Sequence, residues 1–369
     1  MLGTARSTLG VGENVTRLVP YRPGKPIEEV KRELGLTDVI KLASNENPLG
    51  PSALAVQAIR AAAEQVSLYP EGSCHELRGA LAAHLGVPGD HLTIGNGSDE
   101  IIQLLGLVFL EPGDEVVQAH PSFVRYESAA TLNGADCVKV PLRDWAHDLP
   151  AMADRITART RLVFVANPNN PTGTMVTHSE VVRLADAIPD RAVLVMDEAY
   201  HEYVERADYP DTLKLVREGR NLVVLRTFSK IHGLAGLRVG YGIARPEITG
   251  YLNQVREPFN VNLVAQAAAV AALRDAEHPR RSREVNAAGR RQFYATLDAL
   301  GLAYAPSEAN FVWMDVGREC GLVFQYLLRG GVITRTGDIF GADTWLRVTV
   351  GTPEQNERFL GLLKEVVGQ

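Results

Sequence analysis

Between residues 92 and 244 the sequence alternates short apolar runs with longer helical segments, and no other feature narrows the possible folds as far. The runs are LTIG (92–95), EVVQA (115–119), DCVKV (136–140), RLVFVA (161–166), AVLVMD (192–197), NLVVLR (221–226) and VGYGIA (239–244). Segments of helical pattern, such as 99–109, 123–132 and 179–187, lie between several of them. Short β-branched strands joined by helical crossovers pair mainly in parallel and need cover on both faces. The expected architecture is therefore α/β, with a mainly parallel seven-stranded sheet between helices. Ligands of such sheets sit beyond the carboxyl ends of the strands.

The flanks read differently. Residues 1–50, interrupted by Pro20, Pro23, Pro26 and Pro48, form an N-terminal arm with one short helix at 27–34. Helices are expected at 52–68 and 74–85. Beyond Pro246 the pattern turns helical, and an Arg-rich helix at 279–300 leads to a terminal unit. That unit carries strands near 311–315, 332–334 and 345–350 and helices at 322–328 and 354–367, a small α+β domain that the arm completes. The expected division is an arm at 1–50, a large domain at 51–278, and a linking helix with the small domain at 279–369.

Composition removes several classes of function. A chain of 369 residues with 46% hydrophobic content buries a core without help from disulfides or metals. Cys74, Cys137 and Cys320 are far apart and form no CxxC pair, which points to a reducing, cytoplasmic setting. The nine histidines are scattered without an HExxH pair, so no metal is expected. A net charge of −6 disfavours nucleic acid. Nowhere do about eighteen apolar residues run together, so no membrane span is expected. The partners left are small molecules.

Four segments carry chemistry, each at the end of a candidate strand. In RTFSKIHGLAGLRVGY (226–241), Lys230 faces the ligand end of the sheet, where a desolvated amine is a nucleophile. Thr227, Ser229 and Arg238 beside it suit a phosphate dianion. In MDEAY (196–200), Asp197 supplies a carboxylate of the kind a pyridine nitrogen needs, and Tyr200 a hydroxyl three residues on. In ANPNNPTG (166–173), two prolines and a glycine fix the loop that presents Asn170. In TIGNGSDE (93–100), Ser98 is placed to cap a helix whose first N–H groups, at Asp99 and Glu100, would hold an anion. Glu100 stands where a dinucleotide-binding GxGxxG would have its third glycine, which argues against that fold. Taken singly, each segment is compatible with an ordinary turn; their order is not easily obtained by chance.

In that order the motifs resemble those of the fold-type I, class I/II pyridoxal-phosphate aminotransferases, from about residue 19 to 367. Within the class the sequence is most similar to the histidinol-phosphate subfamily, through VPYRPG (19–24), KLASNENPLGPS (41–52), SLYPEG (67–72), GNGSDE (95–100), DEAY (197–200) and LRVTVGT (346–352), with the lysine and asparagine loops above. The resemblance implies a cofactor, pyridoxal 5′-phosphate, bound covalently by Lys230, with Asp197 at its ring nitrogen and Asn170 and Tyr200 at its phenolic oxygen. It implies that Ser98, Asp99, Glu100, Thr227, Ser229 and Arg238 surround the phosphate and that Phe123 stacks on the ring, where many relatives have Tyr. Tyr69 would reach the phosphate in the other subunit of a homodimer. Arg347 would grip the substrate's anionic group, with Arg335, Tyr21 and Asn170 lining the same pocket.

The activity implied is amino transfer between L-histidinol phosphate and 2-oxoglutarate in histidine biosynthesis. Three alternatives remain at this stage: an aromatic-amino-acid aminotransferase, a lyase or decarboxylase on the same fold such as a threonine-phosphate decarboxylase, and a non-catalytic regulator.

Overall fold

The structure, a computed structural model, describes residues 9–20 and 24–368. Its main sheet has seven strands in the spatial order Leu92–Gly95, Gly240–Ile243, Leu222–Thr227, Val193–Asp197, Thr160–Ala166, Glu115–His120 and Asp136–Pro141. Gly240–Ile243 runs antiparallel to both of its neighbours, and every other pairing is parallel. The one reversed strand therefore begins at the end of the sheet where the others finish. Arg238, just before it, joins the residues that follow the parallel strands.

Side-chain alternation along the strands builds two cores, one per face. Val163, Val165, Leu194, Met196, Leu222 and Val224 face one layer of helices with Leu77, Leu81 and Ala265. Leu162, Phe164, Val195, Val223 and Leu225 face the other, with Ile101, Leu105, Tyr126 and Leu252. Among the described residues, no helix is long and apolar enough to cross a membrane.

A second sheet of four strands, in the order Arg335–Thr336, Trp345–Thr349, Phe311–Asp315 and Tyr304–Ala305, is antiparallel throughout. Its Val312, Met314, Leu346 and Val348 pack under the helices Glu277–Leu300, Cys320–Arg329 and Pro353–Val367 through Phe293, Leu327 and Phe359. Ile40–Lys41 pairs in parallel with Val332–Ile333, and Val30 and Val39 pack on Leu328 and Ile333. The expected strand 332–334 is shortened to Val332–Ile333, which pairs with the arm, and a separate strand that was not expected, Arg335–Thr336, pairs with Trp345–Thr349.

Most expected helices shift by one or two residues at an end, and two shifts are instructive. The first spans Ala53–Ala63, capped by the Ser52 hydroxyl on the Ala55 N–H, and gives way to turns before residue 68. The second shift matters for the site. Gly97, at φ +78°, is the N-cap of Ser98–Phe109, and Ser98 is the first residue inside the helix with no capping bond from its side chain. The expectation that Ser98 caps this helix is corrected. A Cβ at Gly97 would lie 2.6 Å from Arg238 Nη2, a side-chain end that can shift; the left-handed backbone at φ +78° is what favours glycine there.

Candidate active site

The carboxyl ends of the parallel strands open onto a pocket. Ser98, Asp99, Phe123, Asn170, Asp197, Tyr200, Thr227, Ser229, Lys230, Arg238, Arg335 and Arg347 all line it, so twelve of the residues expected from sequence converge on one cavity.

Its floor is built from strand ends. Asp197 closes Val193–Asp197 on the same face as Val195, and there it meets Tyr126. The Tyr126 hydroxyl donates to Asp197 Oδ2 at 2.7 Å, and the Ala199 N–H donates to Oδ1 at 3.2 Å. Tyr126 is wholly buried and stacks on Phe164 with ring centroids 4.4 Å apart. Burial pushes the Asp197 carboxyl up to about 6, against the pull of the Tyr126 and Ala199 bonds. Glu198, one residue on, takes the opposite face: it pairs with Arg226 at 2.8 Å and accepts from Thr212 Oγ1 at 2.6 Å, away from the pocket.

Lys230 lies three residues beyond Leu222–Thr227, and its Nζ donates to the Ser44 carbonyl at 3.3 Å. The same Nζ sits 5.5 Å from the centre of the Tyr200 ring. The Tyr200 hydroxyl in turn accepts from Asn45 Nδ2 at 2.9 Å.

An anion cradle lies beside this floor. Arg238 holds a left-handed backbone, φ +58°, and donates to Ser229 Oγ and Asp99 Oδ2, both at 3.3 Å. A Cβ at Gly240 would fall 2.5 Å from the Ser98 nitrogen, so bare backbone is needed where the reversed strand meets the helix start. The first-turn N–H groups of Ser98–Phe109 open here, as at any helix N-terminus suited to a dianion. The Asp99 carboxylate is engaged with Arg238, so its backbone N–H is the group that suits an anion.

Two of the expected residues, Glu100 and Tyr69, do not line this chain's cavity. The Glu100 side chain turns away, accepting from the Asn96 N–H at 2.5 Å and Asn260 Nδ2 at 2.6 Å, and only its backbone N–H stays at the cradle. Tyr69 is 81% exposed, stacks on Phe259 at 4.7 Å, and lies outside this chain's pocket. Tyr21 lies outside the described residues.

The opposite wall comes from the second sheet and the arm. Arg347 is buried; its Nη1 donates to Asn170 Oδ1 at 2.5 Å, and its Nη2 donates to the Ala43 carbonyl at 2.6 Å. With its oxygen so engaged, the Asn170 amide keeps its NH2 as the donor end. Arg335 is the cross-strand partner of Arg347 and lines the same cavity. Two residues here were not marked by sequence as functional, Tyr126 and Asn45. Tyr126 follows Phe123 by about one helical turn, and Asn45 sits in the KLASNENP segment, which was read for resemblance but given no role.

The pocket fits the pyridoxal phosphate that the sequence implies. Asp197 is an acid that burial disfavours as an anion, so a ring cation seated against it would favour its charged form. Gly97 and Gly240 clear space for Arg238 and the helix start, and Lys230 supplies the amine. His232, two residues past Lys230, is buried against Phe228 at 4.9 Å, where burial lowers it to about 4; it does not line the pocket. Among the described residues, no group of three His, Cys, Asp or Glu is placed to hold a metal ion.

The chain is similar to known proteins along nearly its whole length. The profile of the aminotransferase class I and II family matches residues 37–363. The histidinol-phosphate aminotransferase of Moorella thermoacetica is 57% identical over 96% of this chain and 92% of its own length. That of Symbiobacterium thermophilum is 50% identical over 96% and 98%. Among solved structures, the histidinol-phosphate aminotransferase of Sinorhizobium meliloti in complex with pyridoxal-5'-phosphate superposes with a TM-score of 0.89 at 28% identity, covering 100% of this chain and 99% of that one.

Proposed function

The chain belongs to the aminotransferase class I and II family, and on that premise we propose that it moves an amino group reversibly between L-histidinol phosphate and 2-oxoglutarate, a step of L-histidine biosynthesis, with pyridoxal 5′-phosphate as cofactor. The observation that carries the substrate reading is the pair Arg335 and Arg347, neighbours across two strands and facing the same cavity as Lys230. One substrate ends in a phosphate monoester and the other in carboxylates. Guanidinium forks bind both.

When bound, pyridoxal 5′-phosphate supplies a carbonyl carbon that takes up the amino group and a ring that draws electrons from the substrate Cα. Ser98, Thr227, Ser229 and Arg238, with the N–H groups of Asp99 and Glu100, hold its phosphate. Phe123 packs on the ring face. Asp197, oriented by Tyr126, holds the proton on the ring nitrogen, while Asn170 and Tyr200 hydrogen-bond the phenolic oxygen. Lys230 would hold the cofactor through its amine and, once that amine is free, would serve as the base that takes the substrate Cα proton and as the acid that returns it. Arg347 and Arg335 orient the substrate by its anion so that Cα lies near Lys230.

Tyr69 belongs to the partner's site in this reading. Its exposed ring, outside its own pocket, reaches the cofactor phosphate of a second copy in a two-fold homodimer that works in the cytoplasm. The arm 1–50 and residues 279–369 form the unit that carries the arginines, and 51–278 the unit that carries the cofactor.

The deciding experiment mixes holoenzyme with histidinol phosphate, and separately with phenylalanine, in the absence of any oxo acid, and follows the cofactor's visible absorbance. Histidinol phosphate is expected to react about a hundredfold faster at equal concentration, since charge-assisted bonds to the phosphate are worth about 1.5–3 kcal/mol each. A faster reaction with phenylalanine would make the protein an aromatic aminotransferase.

A further inference from the structure

All three tryptophans of the sequence, Trp145, Trp313 and Trp345, meet in one cluster. Trp145 comes from the loop after the edge strand Asp136–Pro141 of the main sheet, and the other two from the second sheet. The Trp145 ring lies 4.5 Å from Trp345 and 5.7 Å from Trp313.

The backbone at Trp145 is unusual for so large a residue. Residues 143–146 close a two-residue turn, with Arg143 and Ala146 exchanging N–H···O bonds of 2.9 Å. Asp144 and Trp145 at its tip have φ of +51° and +63°. Such turns favour Asn and Gly because both central residues need positive φ, and a bulky side chain there is strained. A tryptophan in a position suited to glycine has to be held by what its ring touches.

What it touches is the strand that carries the anion-gripping arginine. Trp345 and Arg347 are two apart on Trp345–Thr349 and so share a face, and Trp313 and Arg335 are the cross-strand partners of Arg347. That face meets the large domain at separate places: Phe311 edge-on to Tyr200 at 5.1 Å, Arg347 at Asn170, and Trp345 at Trp145. The Trp145 carbonyl also accepts from Thr174 Oγ1 at 2.7 Å, which ties the turn to the loop bearing Asn170. One residue thus holds both the Asn170 loop and the strand of Arg347.

We propose that Trp145 is a positioning residue that docks the second sheet on the first and so sets the reach of Arg347 and Arg335 over Lys230, and hence the grip on the substrate's anion. Its kinetic arm rests on the amino-transfer reading; its optical arm does not. Because every tryptophan lies in this seam, intrinsic fluorescence of the holoenzyme reports docking directly. Titration of the wild type with 2-oxoglutarate should give a saturable change in tryptophan emission.

Trp145→Gly removes the ring and relieves the positive φ, so loss of fold is not the expected defect. The emission change from Trp313 and Trp345 should then need about tenfold to a hundredfold more 2-oxoglutarate. KM for histidinol phosphate should rise by a similar factor, with kcat less affected and pyridoxal phosphate affinity unchanged within twofold, the latter read by fluorescence of released cofactor. Trp145→Phe should restore most of the affinity.

Half-saturation and KM within twofold of wild type in Trp145→Gly would overturn the proposal, as would an equal loss of pyridoxal phosphate affinity, which marks a general structural defect. If no amino transfer occurs in the wild type but Trp145→Gly still weakens the optical response to 2-oxoglutarate, the amino-transfer reading fails and the docking role stands.

Discussion

The floor of the pocket and its far wall are assembled by different means. Asp197, Lys230, Asn170 and Arg238 extend from strands of one sheet, so hydrogen bonding between neighbouring strands sets their spacing. Arg335 and Arg347 stand on another sheet and reach the same cavity only where that sheet docks, as in the bond from Arg347 to Asn170 that crosses 177 residues of chain. A floor fixed by a continuous sheet suits bond-making, which tolerates little displacement; a docked wall suits recognition of two anions of different shape. Floor substitutions should therefore damage turnover, and wall substitutions should damage substrate affinity.

The largest effect expected is at Lys230. Lys230→Ala should lower kcat by about 10⁴-fold or more, as loss of both the covalent anchor and the proton-transfer group predicts. Borohydride treatment followed by mass spectrometry should find no cofactor attached to the peptide around residue 230. Retained attachment there would break the assignment of the floor.

Asp197→Asn comes next, with kcat reduced by about 10²- to 10⁴-fold and KM little changed. The same residue gives a pH signature. Its folded pKa of about 6 lies above the value of 3.8 for a free carboxyl, so the native state binds this proton more tightly than the unfolded chain does. Its contribution to stability is present below about pH 4 and is lost as pH rises through about 6, a change of about 3 kcal/mol. Urea unfolding of cofactor-free protein at pH 4 and pH 7 should show this slope in the wild type and lack it in Asp197→Asn. Pyridoxal phosphate, by bringing a ring cation to the carboxylate, should flatten it.

On the wall, Arg347→Lys keeps the charge and loses the fork. The lysine cannot bridge Asn170 and Ala43 while also gripping an anion in two contacts. KM for 2-oxoglutarate should rise about tenfold to a hundredfold, with kcat changed by less than about fivefold. A loss confined to kcat in steady-state assays would place Arg347 with the floor and erase the contrast.

The contrast also explains what sequence could and could not reveal. Asp197, Lys230 and Asn170 were legible because each follows a β-branched run, and the strand-end rule needs only local information. The bond from Tyr126 to Asp197 was not, because it depends on the spatial order of strands: Tyr126 follows Glu115–His120, and Asp197 ends a strand two positions across the sheet. Asn45 reaches Tyr200 across 155 residues, with nothing local to mark it. The cap at residue 97 was misplaced because serine is the better cap in isolation, whereas here residue 97 takes a positive φ, which favours glycine. The turn at residues 144 and 145 was missed for the opposite reason, since Asp-Trp lacks the glycine that usually signals positive φ.

The smallest effect is the sharpest test of where the floor ends. Glu100 stands among the anion-binding residues by sequence, yet its carboxylate accepts from the Asn96 N–H and from Asn260. A carboxylate turned toward a phosphate would repel it, so its rotation onto these donors is what electrostatics favours. Glu100→Gln keeps an oxygen able to accept both bonds and leaves the backbone N–H untouched. Pyridoxal phosphate affinity and kcat should therefore stay within about twofold of wild type, given that neutral acceptor bonds are weaker than charged ones by only about 1–2 kcal/mol and the site itself is not touched. A tenfold or larger gain in cofactor affinity, measured by equilibrium dialysis, would mean that the charge is felt at the phosphate after all, and would extend the cradle one residue further into the helix.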